Sequence, residues 1–153
     1  QSELYQKART VLCYVGTAVE INTMSLLHAA LRDGKILALP LCSEEKGAME
    51  ARQIAGLGDL VSGRFGILAP KLQCPLVAPE DIDLVVVPCA TGDAQGRRLG
   101  YGGGYYDRYL PRTRCPAVLL CRTHVMREDI PMEDHDVFMD YLITEKGITA
   151  CKA

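Results

Sequence analysis

The sequence lacks tryptophan and has only two phenylalanines and three histidines among its 153 residues. No apolar run approaches the roughly 20 residues that a membrane-spanning helix needs. The segment from Gln1 to Tyr5 has neither the basic region nor the apolar core of a secretory signal peptide. These absences predict a cytoplasmic protein that does not contact membranes.

The sequence also lacks a large excess of charge of either sign, because it has 17 lysines and arginines and 19 aspartates and glutamates, for a net charge of −2. Such a balance argues against general affinity for nucleic acid, so any anion site must be local. The seven cysteines are odd in number and include no C-x-x-C pair, and the histidines show no metal-ligand spacing. Reduced thiols are therefore expected rather than disulfides or a zinc site.

Strand and helix patterns alternate along what we expect to be a single domain, residues 1–153. The first predicted element is a buried strand at 11–14. A helix follows that Asn22 or Thr23 caps and Gly34 closes, and then a strand at 36–39 that Pro40 stops. This order predicts a βαβ unit with parallel strands.

The stretch 42–82 is predicted to be a long irregular excursion with a short helix near 48–55. Further strands are expected at 84–87, ended by Pro88, at 117–121 and, as the last one, at 141–144, with a helix at about 104–110. The fold class is thus α/β, three-layered, with a mainly parallel sheet and helices on both faces.

The most informative segment is GRRLGYGGGYYDRYL, residues 96–110, which combines five glycines with arginines and an aspartate. Glycines let backbone N–H groups approach an anion, and arginine matches phosphate oxygens. The segment matches neither G-x-x-x-x-G-K-[ST] nor G-x-G-x-x-G. It is interpreted as a phosphate site at a helix start; the alternative is a flexible loop with tight turns.

Three other side chains are candidates, each with a simpler alternative. Asp107 could bind Mg²⁺ that bridges to phosphate, or it could serve as a helix-start charge or pair with Arg108. Glu20 follows the first strand and could equally be a solvated loop charge. Phe65 could stack on a flat ligand or anchor the core.

Several motifs resemble those of the 5-formyltetrahydrofolate cyclo-ligase family, also called methenyltetrahydrofolate synthetases. Residues 96–108 resemble its signature G-x-R-L-G-Y-G-G-G-Y-Y-D-R. Tyr14 with residues 20–23 resembles Y-x-x-x-x-E-[VI]-x-T, and 34–40 resembles G-K-x-[VI]-x-L-P. Residues 65–70 resemble F-G-I-x-E-P, 83–88 resemble D-x-[VI]-x-V-P, and 130–136 resemble P-x-x-x-H-D. The resemblance runs in order along the chain.

The resemblance implies ATP-dependent closure of 5-formyltetrahydrofolate to 5,10-methenyltetrahydrofolate, with release of ADP and phosphate, on a fold like that of the NagB/RpiA/CoA-transferase group. It implies catalytic roles for Arg98 and Tyr105 and magnesium ligation by Asp107 and Asp136. The implied ATP site is Arg98, Leu99, Gly100, Tyr101, Gly102, Gly103, Gly104, Tyr105 and Tyr106. The implied folate site is Val15, Glu20, Phe65, Tyr101, Gly102, Gly103, Gly104 and Tyr105.

Some features depart from the family pattern. Ala69 stands where many members have glutamate, residues 89–93 differ from the usual loop, and residues 1–153 lack the family's N-terminal basic helix. One alternative is therefore a homologue that binds nucleotide or folate with weak or no turnover. Another is a phosphosugar isomerase or acyl transferase on the same scaffold. We expect a monomer whose partners are the small-molecule substrates.

Overall fold

A computed structural model describes much of the chain, including nearly all of the sheet. The residues described are 3–16, 23–42, 48–62, 68–88, 91, 92, 96, 98, 99, 105–123, 126, 139–144 and 146–151.

Three α-helices and twelve strands lie in these ranges. The helices are α1 (Glu3–Lys7), α2 (Met24–Arg32) and α3 (Tyr105–Tyr109). The strands are β1 (Thr10–Leu12), β2 (Ile36–Cys42), β3 (Met49–Ile54), β4 (Leu60–Ser62), β5 (Leu68–Pro70), β6 (Leu76–Val77), β7 (Leu84–Val87), β8 (Thr91–Gly92), β9 (Arg98–Leu99), β10 (Ala117–Leu120), β11 (Tyr141–Thr144) and β12 (Gly147–Ala150). Short 3-10 turns occupy Leu57–Asp59, Pro79–Asp81 and Leu110–Arg112. No helix in the described part of the chain is long and apolar enough to cross a membrane.

Eight strands form one sheet in the order β12-β11-β10-β7-β1-β2-β3-β6. The five central strands, from β11 to β2, are mutually parallel, whereas β12 at one edge and β3 and β6 at the other are antiparallel to their neighbours. The predicted mixed α/β class with a mainly parallel sheet is confirmed. The predicted βαβ unit is also confirmed, as β1, α2 and β2.

Two apolar clusters lie on opposite faces of this sheet, because neighbouring strand residues point to opposite sides. The first core contains Leu12, Val85 and Leu119, together with Tyr109 of α3. The second core contains Val11, Val86 and Val118, together with Leu27 and Ala30 of α2. Strands buried on both faces explain the nearly continuous apolar sequence of β7 and β10.

Several element boundaries are as predicted. The helix α2 ends before Gly34, whose φ of +74° is a left-handed conformation that favours glycine. Pro88 follows the end of β7, and the predicted strands at 117–121 and 141–144 correspond to β10 and β11. The segment 130–136, which resembles the family motif P-x-x-x-H-D, lies outside the described residues.

The predicted helix near 48–55 is wrong, because Met49–Ile54 forms β3 and pairs with β2 from Cys42↔Met49 to Leu37↔Ile54. Pro40 does not stop β2 either. Its partner β1 has already ended opposite Ala38, so the far part of β2 pairs on one side only. A proline without an N–H is tolerated at such a position.

Two further expectations need correction. The strand at 141–144 is not the last one, since β12 follows and pairs with it in antiparallel. The glycine-rich segment does not follow β7 directly, because β8 intervenes and pairs with β9, Thr91↔Leu99 and Gly92↔Arg98. The start of the segment is therefore half of a small two-stranded ribbon, a pairing that local sequence does not reveal.

Candidate functional site

The carboxyl ends of the five parallel strands share one edge of the sheet, where ligands of open α/β sheets usually bind. Residues 13–16 leave β1 at this edge, and Pro88 leaves β7 there. The ribbon of β8 and β9 and then α3 follow β7 along the chain. The two candidate segments that carry Val15 and the glycine run thus both leave the sheet at its carboxyl edge.

Val15 is held in place by Thr23, for which the sequence predicted only a role as a helix cap. The hydroxyl of Thr23 donates to the backbone oxygen of Tyr14 and accepts a hydrogen bond from the backbone N–H of Gly16, at 3.3 Å. Thr23 is only 2% exposed and makes no side-chain cap bond to α2. It therefore fixes the backbone on both sides of Val15, which is half-buried against the second core.

The glycine-rich segment is described at its two ends. Arg98 and Leu99 form β9, whose backbone pairs with β8. Tyr105, Tyr106 and Asp107 lie in α3, where all three are half-buried and the two tyrosines pack against the first core. Val15 and the two tyrosines therefore pack against cores on opposite faces of the sheet.

The remaining predicted site residues lie outside the described residues. They are Glu20, Phe65, Gly100, Tyr101, Gly102, Gly103, Gly104 and Asp136.

Two cysteines in the described ranges, Cys13 and Cys115, are not arranged as nucleophiles. Cys13 is fully buried beside the carboxyl end of β1, and its thiol donates to the backbone oxygen of Tyr14 at 3.4 Å. Burial raises the pKa of Cys13 to about 12. Burial also raises the pKa of Cys115 to about 11. Both thiols are protonated at neutral pH, and the thiol form is a poor nucleophile.

A magnesium site was predicted at Asp107 and Asp136, and only the first of these residues is described. The described ranges contain no group of three or more histidine, cysteine, aspartate or glutamate side chains placed to hold a metal. A half-buried carboxylate in α3 nevertheless fits Mg²⁺, which binds nucleotides through one or two carboxylates and phosphate oxygens. Asp107 supplies the kind of oxygen ligand that such a site requires.

A groove of about 690 Å³ lies between α1 and β12, on the side of the sheet opposite to the carboxyl ends of its parallel strands. Its lining includes Asp83 and Pro116, which immediately precede β7 and β10, so it faces the amino ends of the parallel strands. The Asp83 carboxylate is occupied there by the backbone N–H groups of Arg9 and Thr10, each at 3.0 Å. This groove is separate from the carboxyl-edge site.

Comparison with known proteins agrees with the motifs. Residues 1–145 match the model of the 5-formyltetrahydrofolate cyclo-ligase family. The chain belongs to this family. It is 32% identical to a 5-formyltetrahydrofolate cyclo-ligase of Mycolicibacterium smegmatis, over 99% of this chain and 81% of that protein. It is 29% identical to one of Escherichia coli, over 92% and 80%.

Solved structures place this cyclo-ligase family member in the same fold. The solution structure of Aquifex aeolicus 5,10-methenyltetrahydrofolate synthetase matches with a TM-score of 0.84 and 30% identity, over 99% of this chain and 76% of that one. The recognition of the family from the motifs is confirmed. What the motifs did not reveal is the anchoring by Thr23, whose signal was a threonine before an apolar helix.

Proposed function

We propose that the chain catalyses the ATP-dependent cyclisation of 5-formyltetrahydrofolate to 5,10-methenyltetrahydrofolate, releasing ADP and phosphate. The observation that carries this proposal is the family match over residues 1–145, which spans every element from α1 to β11. The enzyme is an ATP-dependent ligase of folate one-carbon metabolism. No nucleophilic side chain is required, in keeping with the protonated, buried Cys13 thiol.

The chemistry needs the enzyme mainly for orientation and charge neutralisation. The formyl oxygen attacks the γ-phosphorus and ADP leaves, so a poor leaving group becomes a phosphate ester. The N10 amine then attacks the activated carbon, phosphate leaves, and the N10 proton is lost. Backbone N–H groups and arginine stabilise the negative charge that develops on the transferred group.

Within this reaction we assign ATP binding to residues 98–106, with Arg98 and Tyr105 as catalytic residues. The folate site comprises Val15, Glu20, Phe65 and residues 101–105. Support for Val15 comes from its place after β1 and from Thr23, which holds the backbone on both sides of it. Support for Tyr105 comes from its half-buried position at the start of α3, against the first core.

Magnesium fits the same site, with Asp107 and Asp136 as its protein ligands. When bound there, Mg²⁺ would neutralise charge on the phosphates of ATP. We expect Asp107→Asn to raise the magnesium concentration needed for half-maximal turnover about tenfold or more, because the amide keeps the shape but loses the charge. Magnesium titration of the activity measures this effect. Asp81→Asn, at an exposed carboxylate ahead of β7, is the control. Overlapping curves for all three proteins would contradict the assignment.

The finer architecture is part of the same proposal. We assign the chain to the three-layered NagB/RpiA/CoA-transferase-like folds, which is supported by α2 and α3 packing against opposite cores. A single domain, a monomeric state and a cytoplasmic location stay predictions.

The direct test is to mix the protein with 5-formyltetrahydrofolate, ATP and magnesium and to follow the near-ultraviolet absorbance of the methenyl product. The signal should grow with ATP and stay flat without it. It should also stay flat with a non-hydrolysable ATP analogue, because the phosphoryl group must move. If folate and ATP bind but the absorbance never rises, the enzyme assignment fails and a binding homologue remains.

A further inference from the structure

Gly96, the first residue of the glycine-rich segment, has a backbone conformation and close neighbouring atoms that only glycine tolerates. Its φ is +92°, in the left-handed region, and the residue is buried. A Cβ on Gly96 would lie 2.4 Å from the backbone oxygen of Met139 and 3.0 Å from its nitrogen. It would also lie 3.2 Å from Cβ of Cys151. The backbone of Gly96 therefore rests directly on the backbone of Met139.

A hydrogen bond joins the same two residues. The N–H of Met139 donates to the carbonyl oxygen of Gly96 at 2.7 Å. Met139 is only 3% exposed and belongs to the first core. The contact is thus a polar bond inside an apolar environment, where it is shielded from competing water.

The chain next to Met139 is itself hydrogen-bonded to the main sheet. Asp140 donates its backbone N–H to Ala117 at 2.9 Å, and its carboxylate accepts the N–H of Ala117 at 2.8 Å. The N–H of Cys151 donates to the Asp140 oxygen at 2.9 Å. Met139 therefore precedes a residue that is tied to both β10 and the end of β12.

The ribbon strand β9 begins two residues after Gly96, and it leads into the proposed ATP-binding residues. The contact with Met139 sets where β9 starts relative to the eight-stranded sheet. We propose that Gly96 is a positioning residue for ATP. Its close contact with Met139 fixes the start of β9, and thereby the backbone of Arg98, the first of the proposed ATP-binding residues. This inference rests on the proposed assignment of residues 98–106 to ATP.

The critical experiment compares Gly96→Ala with Gly34→Ala. Both glycines have positive φ, +92° and +74°, so both substitutions strain the backbone, but nothing lies within 4 Å of the Cβ position at Gly34. We expect Gly96→Ala to raise the ATP KM at least tenfold and to leave the 5-formyltetrahydrofolate KM within about twofold. The dissociation constant of ATP with magnesium, measured by calorimetry, should rise in parallel. Gly34→Ala should lower the melting temperature but leave both KM values unchanged.

Hydrogen exchange in the unaltered protein gives a second measurement, which needs no variant and so does not depend on whether Gly96→Ala folds. We expect ATP with magnesium to slow exchange of the Met139 amide about tenfold more than that of the Lys71 amide. The Lys71 amide donates to the oxygen of Asp59, next to the separate two-stranded sheet of β4 and β5. Equal changes at the two amides would contradict the inference.

The outcomes separate this inference from the proposed function. An active parent enzyme whose ATP KM is unchanged by Gly96→Ala contradicts the positioning role alone. Equal increases in both KM values, or the same increases in Gly34→Ala, would also overturn it, because they indicate general damage to the fold. A parent protein that neither binds nor consumes ATP contradicts the proposed function, and the inference fails with it.

Discussion

Thr23 shows how a single buried hydroxyl can hold the backbone on both sides of Val15, a residue of the proposed folate site. We expect Thr23→Val to raise the 5-formyltetrahydrofolate KM several-fold with little effect on the ATP KM. Valine keeps the shape of threonine but removes the hydrogen bonds of the hydroxyl to the Tyr14 oxygen and from the Gly16 N–H. Steady-state kinetics measure both constants. Thr23→Ser retains the hydroxyl and should behave like the parent, so a defect of equal size in both variants would contradict this role.

Two buried tyrosines differ in what their hydroxyl groups contact. Among the described residues, the Tyr109 hydroxyl has no hydrogen-bond partner, although the residue is only 3% exposed. The Tyr5 hydroxyl instead donates to the Asp33 carboxylate at 2.7 Å. We expect Tyr109→Phe to be neutral or to stabilise the protein by up to about 1 kcal/mol, because burying an unpaired polar group is costly. Tyr5→Phe should destabilise it.

Urea unfolding of the two variants tests the contrast. The Arg112 guanidinium lies 5.5 Å from the centre of the Tyr109 ring, and phenylalanine keeps that ring. A clear loss of stability in Tyr109→Phe would therefore show that the hydroxyl has a partner after all.

At the scale of elements, two aspartates fasten neighbouring strands at the amino edge of the sheet. Asp83 precedes β7 and accepts from the N–H groups of Arg9 and Thr10, while its own N–H donates to the Thr10 oxygen at 2.8 Å. Asp140 precedes β11 and binds Ala117 of β10 in the same way. Each carboxylate satisfies strand-end N–H groups that have no strand partner.

We expect Asp83→Ala to lower the free energy of unfolding by about 1 to 3 kcal/mol, because two N–H groups lose a charged acceptor. Chemical denaturation of Asp81→Ala gives the matched control, since Asp81 is exposed in the preceding 3-10 turn and makes no such contact. Equal stabilities of the two variants would show that the Asp83 carboxylate contributes nothing to holding β1 and β7.

Elements whose signal is local were predictable from the sequence. The apolar runs of β7 and β10 and the Gly34 end of α2 needed no information from distant residues. The strand β3 could not be predicted in this way, because Met49–Ile54 becomes a strand only by pairing with β2, which also carries Pro40 into the sheet. The site divides similarly. The glycine-rich motif was visible in the sequence, whereas the contact of Gly96 with Met139 joins residues far apart in the chain.

For the whole molecule, buried acidic groups make stability depend on alkaline pH. Burial raises the pKa of Cys13 to about 12, that of Cys115 to about 11 and that of Tyr109 to about 12. A folded-state pKa above the unfolded value contributes stability that is complete below the unfolded pKa. This stability is lost as the pH rises through the folded pKa. For the thiols, the loss begins near an unfolded pKa of about 8.5.

We therefore expect the free energy of unfolding to fall from about pH 9 to pH 12, with the fully buried Cys13 thiol contributing a slope of about 1.4 kcal/mol per pH unit. Cys13→Ala should remove one such contribution and flatten the curve in this range, whatever its effect at pH 7. Guanidinium unfolding at stepped pH measures the slopes. Parallel curves for the variant and the parent would contradict a buried, neutral Cys13 in the folded state.

The eight-stranded sheet consists of two halves, each formed by one continuous stretch of the sequence. In the eight-stranded sheet, the strands from residues 10–77, which are β1, β2, β3 and β6, lie on one side. The strands from residues 84–150, which are β7, β10, β11 and β12, lie on the other. The two halves of the sheet meet only where β1 pairs with β7, at Val11↔Leu84 and Leu12↔Val85. Of the proposed folate residues, Val15, Glu20 and Phe65 come from the first stretch of chain, whereas residues 101–105 come from the second, as do the ATP residues. The folate substrate would then be bound by both stretches of chain, so that turnover would require the pairing of β1 with β7 to be intact.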